Sequence, residues 1–355
     1  MTQYLLIGSI EPYSGKSGTI VGLGQQLQSQ GIKIGYGKPL SSYFSLDANQ
    51  IDDDDLNFIT QTLNLPSSSI RPTVLTLDQE ILKKRLSGED QNNYAQNLRA
   101  YLQQNTEDLV LLEGGGSLTE GSLFNLSLLE ISATLNAPIV LVTKFHSLLL
   151  VDLLLAAKKN LGKNLSGVVI NDIPFEQIEI ASNLVRPFLE SWEIPVLGML
   201  PKSSLLNSVT VRELVSELNA EVLARNDRLD LMVETLKIGA MNVNSALEYF
   251  RQSHNMAVVT GSDRTDIQSA ALKNSSTHCL ILTGHTPPQD LILHLAQELE
   301  IPILAVDLDT LSTVEIIERT FKQVRFHEPV KVEVMKELIQ THFDVSRLLK
   351  LLSLS

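Results

Sequence analysis

The chain has 355 residues, 43% hydrophobic and 19% charged, a composition that excludes an unstructured polymer and fits about two domains. Acidic residues outnumber basic ones 41 to 28, a net charge of −13, so most of the surface repels a phosphate backbone, which argues against nonspecific nucleic-acid binding. The single cysteine, Cys279, leaves no intrachain disulfide or multi-cysteine zinc site, and the seven histidines show no His-x3-His or His-Glu-x-x-His spacing that would put two ligands on one helix face. The N-terminus, Met1-Thr2-Gln3-Tyr4-Leu5-Leu6-Ile7-Gly8, lacks the basic start and cleavage site of a signal peptide. Phe145 to Leu165 is interrupted by Asp152, Lys158, Lys159 and Lys163, short of the ~20 apolar residues of a bilayer span. The expectation is a soluble, cytoplasmic protein without nucleic-acid or membrane partners.

In chain order, Tyr4–Gly8 reads as a strand, about Ser17–Gln30 as a helix stopped by Gly31, and Ile32–Tyr36 as the next strand. Gln79–Leu86 and Asp90–Gln104 read as helices. Leu109–Leu112, Ala137–Val142, Gly167–Asn171 and Pro195–Gly198 read as strands. These apolar runs are continuous rather than alternating, as in strands covered by helices on both faces, and their alternation with helices predicts a doubly wound, mostly parallel α/β sheet. A helical pattern over Val211–Arg225 opens a second, smaller α/β unit with strands at Met256–Thr260, Cys279–Thr283 and Ile303–Val306. Its helices are expected at Asp266–Leu272, Asp290–Glu300 and Thr313–Phe321, and one final helix over about Val332–Leu351 closes the chain. The expected organisation is residues 1–208, 209–331 and a C-terminal helical segment, 332–355.

The sharpest motif is Gly8-Ser9-Ile10-Glu11-Pro12-Tyr13-Ser14-Gly15-Lys16-Ser17, between a strand and a helix. In that context backbone N–H groups and a helix N-terminus cradle phosphates, Lys16 neutralises their charge and Ser17 holds Mg2+. The spacing departs from Gly-x-x-x-x-Gly-Lys-Ser/Thr, which would put its first glycine at Ile10. The blander alternative is an ordinary strand-to-helix turn. The second motif, Leu109-Val110-Leu111-Leu112-Glu113-Gly114-Gly115-Gly116, ends a strand in a carboxylate followed by glycines that admit close backbone approach. Glu113 would face the same crevice as the phosphate loop and serve Mg2+, which takes one or two acidic ligands with phosphate and water. Its alternative is a glycine-rich turn with an exposed glutamate. Lys38, in Gly37-Lys38-Pro39, and the run Asp52-Asp53-Asp54-Asp55 are weaker signals, since lone lysines and charge runs are ordinarily solvated.

Taken together, Glu-Pro-x-x-Gly-Lys-Ser, Gly-Lys-Pro, the Asp-rich segment, Glu-Gly-Gly-Gly and Gly-Val-Val-Ile-Asn resemble the dethiobiotin synthetase-like P-loop domain. Gly261-Ser262-Asp263-Arg264-Thr265-Asp266, followed by Leu282-Thr283-Gly284, is similar to the DRTGG domain, with Asp266-Ile267 in place of the glycine pair. The two in this order resemble the N-terminal region of long-form phosphate acetyltransferases. The resemblance implies ATP and Mg2+ as ligands, with Gly8, Glu11, Ser14, Gly15, Lys16, Ser17, Gly114 and Gly115 around the nucleotide. It further implies Ser17, Glu113 and Asp55 (Asp53 as fallback) as metal ligands, Lys38 beside Lys16 as a catalytic group at a carbamate-like substrate, Asn171 reading adenine, and Gly198–Pro201 bordering the nucleotide. Read without it, Asn171 is a polar strand cap and Pro201 a loop stop.

In the second domain, Asp263, Arg264, Thr265 and Asp266 sit where a strand passes to a helix and are candidates for a second anionic or nucleotide ligand. The competing reading has Asp263 capping the helix and Arg264 paired with a neighbouring acid. Three functions follow: a regulatory nucleotide-binding protein, favoured here; an ATP-dependent small-molecule ligase; and a scaffold with a decayed phosphate loop. In the acetyltransferases a larger catalytic domain follows these two, so acetyl transfer is not expected of these residues. P-loop proteins of this class commonly pair, so a homodimer is expected.

Overall fold

A computed structural model describes residues 2–42, 53–103, 106–284, 287–324 and 326–354. The chain forms two compact units: Met1–Lys202 together with Phe326–Ser355, and Ser203–Arg325. The second unit therefore interrupts the first in sequence. The limits expected from sequence, 208 and 331, lie a few residues beyond those of the compact units, and the C-terminal segment belongs to the first.

The first unit is built on seven strands: β1 (Gln3–Ser9), β2 (Ile34–Gly37), β3 (Ile70–Arg71), β4 (Leu109–Glu113), β5 (Ile139–Lys144), β6 (Leu165–Ile173) and β7 (Val196–Pro201). Their order is β3-β2-β4-β1-β5-β6-β7, and every neighbouring pair is parallel. The central strands are buried along almost their whole length, which is why they read as unbroken apolar runs. Because β1 lies between β4 and β5, loops leaving β1 in one direction and β5 in the other open a crevice at the carboxyl edge, where α/β sheets take ligands.

Helix α1 (Lys16–Ser29) follows β1 directly. Helix α2 (Leu128–Leu135) starts with a capping box between Ser127 and Glu130, and α3 (Leu150–Leu161) follows β5. The helix over Asp53–Thr62 went unread in the acidic run that opens it. Asp90–Gln104 shortens to Tyr94–Leu98 with a 3-10 turn after it, its start fixed by the Asn93 side chain accepting from Gln96 N.

The final helix is two helices, α4 (Pro329–His342) and α5 (Val345–Leu351). Phe343 turns extended and bridges Gly198, Asp344 N donates to Leu197 O at 2.7 Å, and the Asp344 carboxylate caps α5 through Arg347 N at 2.9 Å. The β7 edge thus interrupts an otherwise continuous helical pattern. α4 packs on α1, with Met335 and Ile339 against Gly18 and Gly22. Arg347 grips Glu190 in a bidentate pair at 2.6 and 2.7 Å.

The second unit holds β8 (Glu221–Ala224), β9 (Thr235–Ile238), β10 (Met256–Gly261), β11 (Thr277–Thr283) and β12 (Ile303–Val306), in the order β8-β12-β11-β10-β9. Only β8 runs antiparallel to its neighbour. The expected helix over Val211–Arg225 ends at Leu218, where Asn219 takes a left-handed φ of 47°, and Glu221–Ala224 then extends as the sheet edge. The strand Thr235–Ile238 and the helix Val243–Arg251 were not foreseen. Among the described residues no helix is long and apolar enough to cross a membrane.

Candidate functional site

The loop from β1 to α1 turns on two left-handed residues, Tyr13 (φ 54°) and Gly15 (φ 97°). At Gly15 a side chain is excluded twice over, since a Cβ would stand 2.3 Å from Asn171 Nδ2. Tyr13 pays conformational strain of a kind that clusters at ligand sites. The Asn171 amide donates to Ser14 O at 3.0 Å and so ties β6 to the loop. Ser14 is fully buried, and its hydroxyl makes no protein hydrogen bond.

Lys16, only 9% exposed, donates to Ser9 Oγ at 3.0 Å. The register pairs Ile7 with Glu113, placing the carboxylate beside the start of the loop. Glu113 is 4% exposed and accepts at both oxygens: Ser17 Oγ donates to Oε1 at 3.0 Å, and the Tyr36 hydroxyl donates to Oε2 at 2.8 Å. Gly37 pairs with Leu112, so Lys38, half-buried, leaves β2 alongside the residue at the end of β4.

Glu11 is held by the chain itself. Its Oε1 accepts from Lys144 N at 2.9 Å and Thr143 Oγ1 at 3.2 Å, and its Oε2 lies 2.8 Å from His146 Nε2. It therefore anchors the phosphate loop to the end of β5. Gly8 and Gly114 are glycines for packing: a Cβ at either would come within 2.4 Å of Leu128. Gly115 faces Glu120, whose carboxylate accepts from Gly116 N. Pro201 closes β7, the strand beside the one that carries Asn171.

The structure thus gathers Ser14, Gly15, Lys16, Ser17, Glu113 and Asn171 at the carboxyl edge of β1, β4 and β6, with Lys38 leaving the adjoining β2. Asp52 and the side chains of Asp53, Asp54 and Asp55 lie outside the described residues. Among the described residues no group of three or more His, Cys, Asp or Glu side chains stands ready for a metal. Ser17 and Glu113 offer two hard oxygen donors instead, which fits Mg2+ that arrives with a phosphate and keeps several waters. Sequence reasoning missed Ser9, Tyr36, Thr143 and His146. Tyr36 alone carried a local signal, two residues before Lys38 at a strand end.

In the second unit, Arg264 donates to both Asp266 oxygens, at 3.0 and 3.1 Å, and to Met241 O at 3.0 Å. The hydrogen bond from Arg264 holds the Asp266 carboxyl below its usual range. Arg264 is thus engaged by an acid, and the helix Thr265–Leu272 begins without a side-chain cap, so Asp263 does not cap it. Asp263 is exposed and Thr265 half-buried at the carboxyl end of β10. Gln268, fully buried, donates to Gly261 O and Ser262 O and braces this loop. His285 lies outside the described residues.

The family described as an AAA domain matches residues 3–210, and the DRTGG domain matches residues 213–320. The phosphate acetyltransferase of Nitratidesulfovibrio vulgaris is 26% identical over 98% of this chain and 51% of its own length. That of Synechocystis is 26% identical over 99% of this chain and 52% of its own. The chain spans about half the length of these curated relatives. The CBS and DRTGG domains of the regulatory region of Clostridium perfringens pyrophosphatase, solved with diadenosine tetraphosphate, cover 54% of this chain and 82% of their own at 18% identity. Their TM-score is 0.29, too slight a likeness to argue from. With more than half of its residues in the match, the chain belongs to the AAA domain family and carries a DRTGG domain after it, the architecture of the N-terminal region of phosphate acetyltransferases.

Proposed function

We propose that the chain binds ATP with Mg2+ at the loop between β1 and α1 and acts as a regulatory nucleotide-binding protein, of dethiobiotin synthetase-like build in its first unit. The observation that carries this is the meeting of Ser17 with Glu113 at 3.0 Å, beside Lys16 at the start of α1. A lysine for phosphate charge, a hydroxyl and a carboxylate for a cation, and a helix N-terminus are together the chemistry a nucleoside triphosphate requires. Lys16 would contact the outer phosphates, while Ser17 and Glu113, with Asp55, would hold Mg2+. Gly15 and the loop backbone would cradle the phosphates, with Asn171 and Pro201 at the base. Mg2+ would supply charge neutralisation between phosphate oxygens. The proposed role is binding and signalling.

A ligase reading is favoured by one feature, Lys38 leaving β2 next to the end of β4, where a second anionic substrate would meet the phosphates. It predicts ADP release that depends on one particular acid or amine. The second unit, with Asp263 to Asp266 beyond the carboxyl end of β10, would take a second small ligand. A cytoplasmic homodimer completes the proposal, supported by the exposed Leu148, Leu149 and Leu153 beside the loop after β5. Equilibrium sedimentation showing monomer alone sinks the dimer. The nucleotide reading is tested by calorimetry with ATP and ADP, with and without Mg2+, and Lys16→Ala as control. Binding that needs Mg2+ and disappears in the variant supports it, and silence at millimolar nucleotide overturns it.

A further inference from the structure

Glu113 is buried at the end of β4, and only one of its oxygens is turned toward Ser17. What sets that orientation is the other oxygen, Oε2, which accepts from the Tyr36 hydroxyl at 2.8 Å. Tyr36 stands on β2, the strand beside β4, where the register pairs it with Leu111, and its side chain is fully buried. A ring packed on all sides has no alternative position, so the phenol acts as a fixed donor. A phenol hydroxyl is also an uncharged donor. A lysine or arginine at this place would cancel the carboxylate's charge, whereas tyrosine orients the group and leaves the negative charge for a cation.

We propose that Tyr36 is a positioning residue: it locks Glu113 so that Oε1 and the Ser17 hydroxyl present a preformed pair of oxygens to Mg2+ carried by the nucleotide. This rests on the nucleotide reading above and deepens it. Support of this kind around a ligating carboxylate ordinarily changes metal affinity by about 10- to 100-fold.

The test uses the full chain and reads the gain in ATP affinity that Mg2+ confers, measured by titration calorimetry in Mg2+ and again in EDTA. In Tyr36→Phe, which removes one oxygen from a buried ring, the Mg2+-dependent gain falls about tenfold, as expected for losing one hydrogen bond to a charged group. ATP affinity in EDTA stays at the wild-type value. In Glu113→Gln the gain disappears, and adding Tyr36→Phe to that variant changes nothing further. A Tyr36→Phe protein that keeps the full gain overturns the proposal. So does one that loses affinity equally in Mg2+ and EDTA, because a structural role alone would do that. A wild-type protein that binds no ATP overturns the nucleotide reading itself, and it is told apart because it needs no variant.

Discussion

Ser17 and Glu113 stand 96 positions apart in the chain, and their side chains meet at 3.0 Å. The contact exists because β4 lies beside β1 in the sheet, with Ile7 opposite Glu113, so that a residue closing one strand faces the helix that follows the other. A parallel sheet brings every strand's carboxyl end to one edge, and this pair shows that edge assembling a site from two distant motifs.

Replacing Lys16 by alanine removes the cation aimed at the loop and its 3.0 Å bond to Ser9. Hydrogen bonds to charged groups contribute about 1.5–3 kcal/mol, so nucleotide affinity should fall by roughly 10- to 100-fold or more. Far-UV circular dichroism should be unchanged, because alanine is a good helix former at the first position of α1. Wild-type affinity in the variant removes Lys16 from the phosphate site.

The strands and the phosphate loop were legible because burial on both faces writes itself as continuous apolar runs, and because Gly15-Lys16-Ser17 follows the first of them. Helix ends were less so. Asn219 is a residue type that takes a left-handed C-cap, a stop signal that the helical pattern running on to Arg225 masked, and nothing local announces that the β7 edge captures Phe343 and Asp344 and breaks one helix into two. The site's supports were illegible for the same reason. Tyr36, Ser9 and His146 matter through partners on other elements, Glu113 on β4, Lys16 on α1 and Glu11 in the loop between β1 and α1, and no spacing encodes that. Gly114 was read as admitting close backbone approach, whereas the side chain that needs its space, and that of Gly8, is Leu128.

Glu107 and Arg71 form a buried pair at 2.7 Å. Burial alone would raise the Glu107 pKa, but hydrogen bonds from Arg71, Thr106 and Ser69 outweigh it and bring it down to about 2. A carboxyl depressed on folding contributes stability above its unfolded pKa, near 4.5, which is lost as pH falls through about 2. Acid unfolding should therefore steepen in that window. Glu107→Gln should flatten the slope there and, by stranding Arg71, lower stability at neutral pH by about 3–5 kcal/mol. An unaltered acid limb in the variant contradicts the assignment.

Cys279 is fully buried in β11, and burial pushes its thiol well above the ordinary range. The thiolate is the reactive form, so the native protein should resist exchange with an aromatic disulfide reagent and form the mixed disulfide only on unfolding. Labelling rates followed against denaturant then report the opening of the second unit. Rapid stoichiometric labelling of native protein contradicts the buried placement.

Two glycines of α1 separate packing from helix propensity. A Cβ at Gly18 would meet Met335 Cε at 2.9 Å and the Phe326 ring at 3.3 Å, whereas at Gly22 it would meet Ile339 Cγ1 at 2.7 Å and the backbone oxygen of Met335 at 3.1 Å. Alanine in a helix interior gains about 1 kcal/mol over glycine. A methionine end group moves aside at little cost, so Gly18→Ala should be net stabilising by up to about 1 kcal/mol. The backbone of α4 does not yield so easily, and overpacking costs about 1–3 kcal/mol. Gly22→Ala should therefore come out net destabilising by up to about 2 kcal/mol, lowering the thermal midpoint by several degrees through loosened α4. Differential scanning calorimetry of the two variants decides it. Equal stabilisation of both would mean that α4 sits farther from α1 than the structure places it.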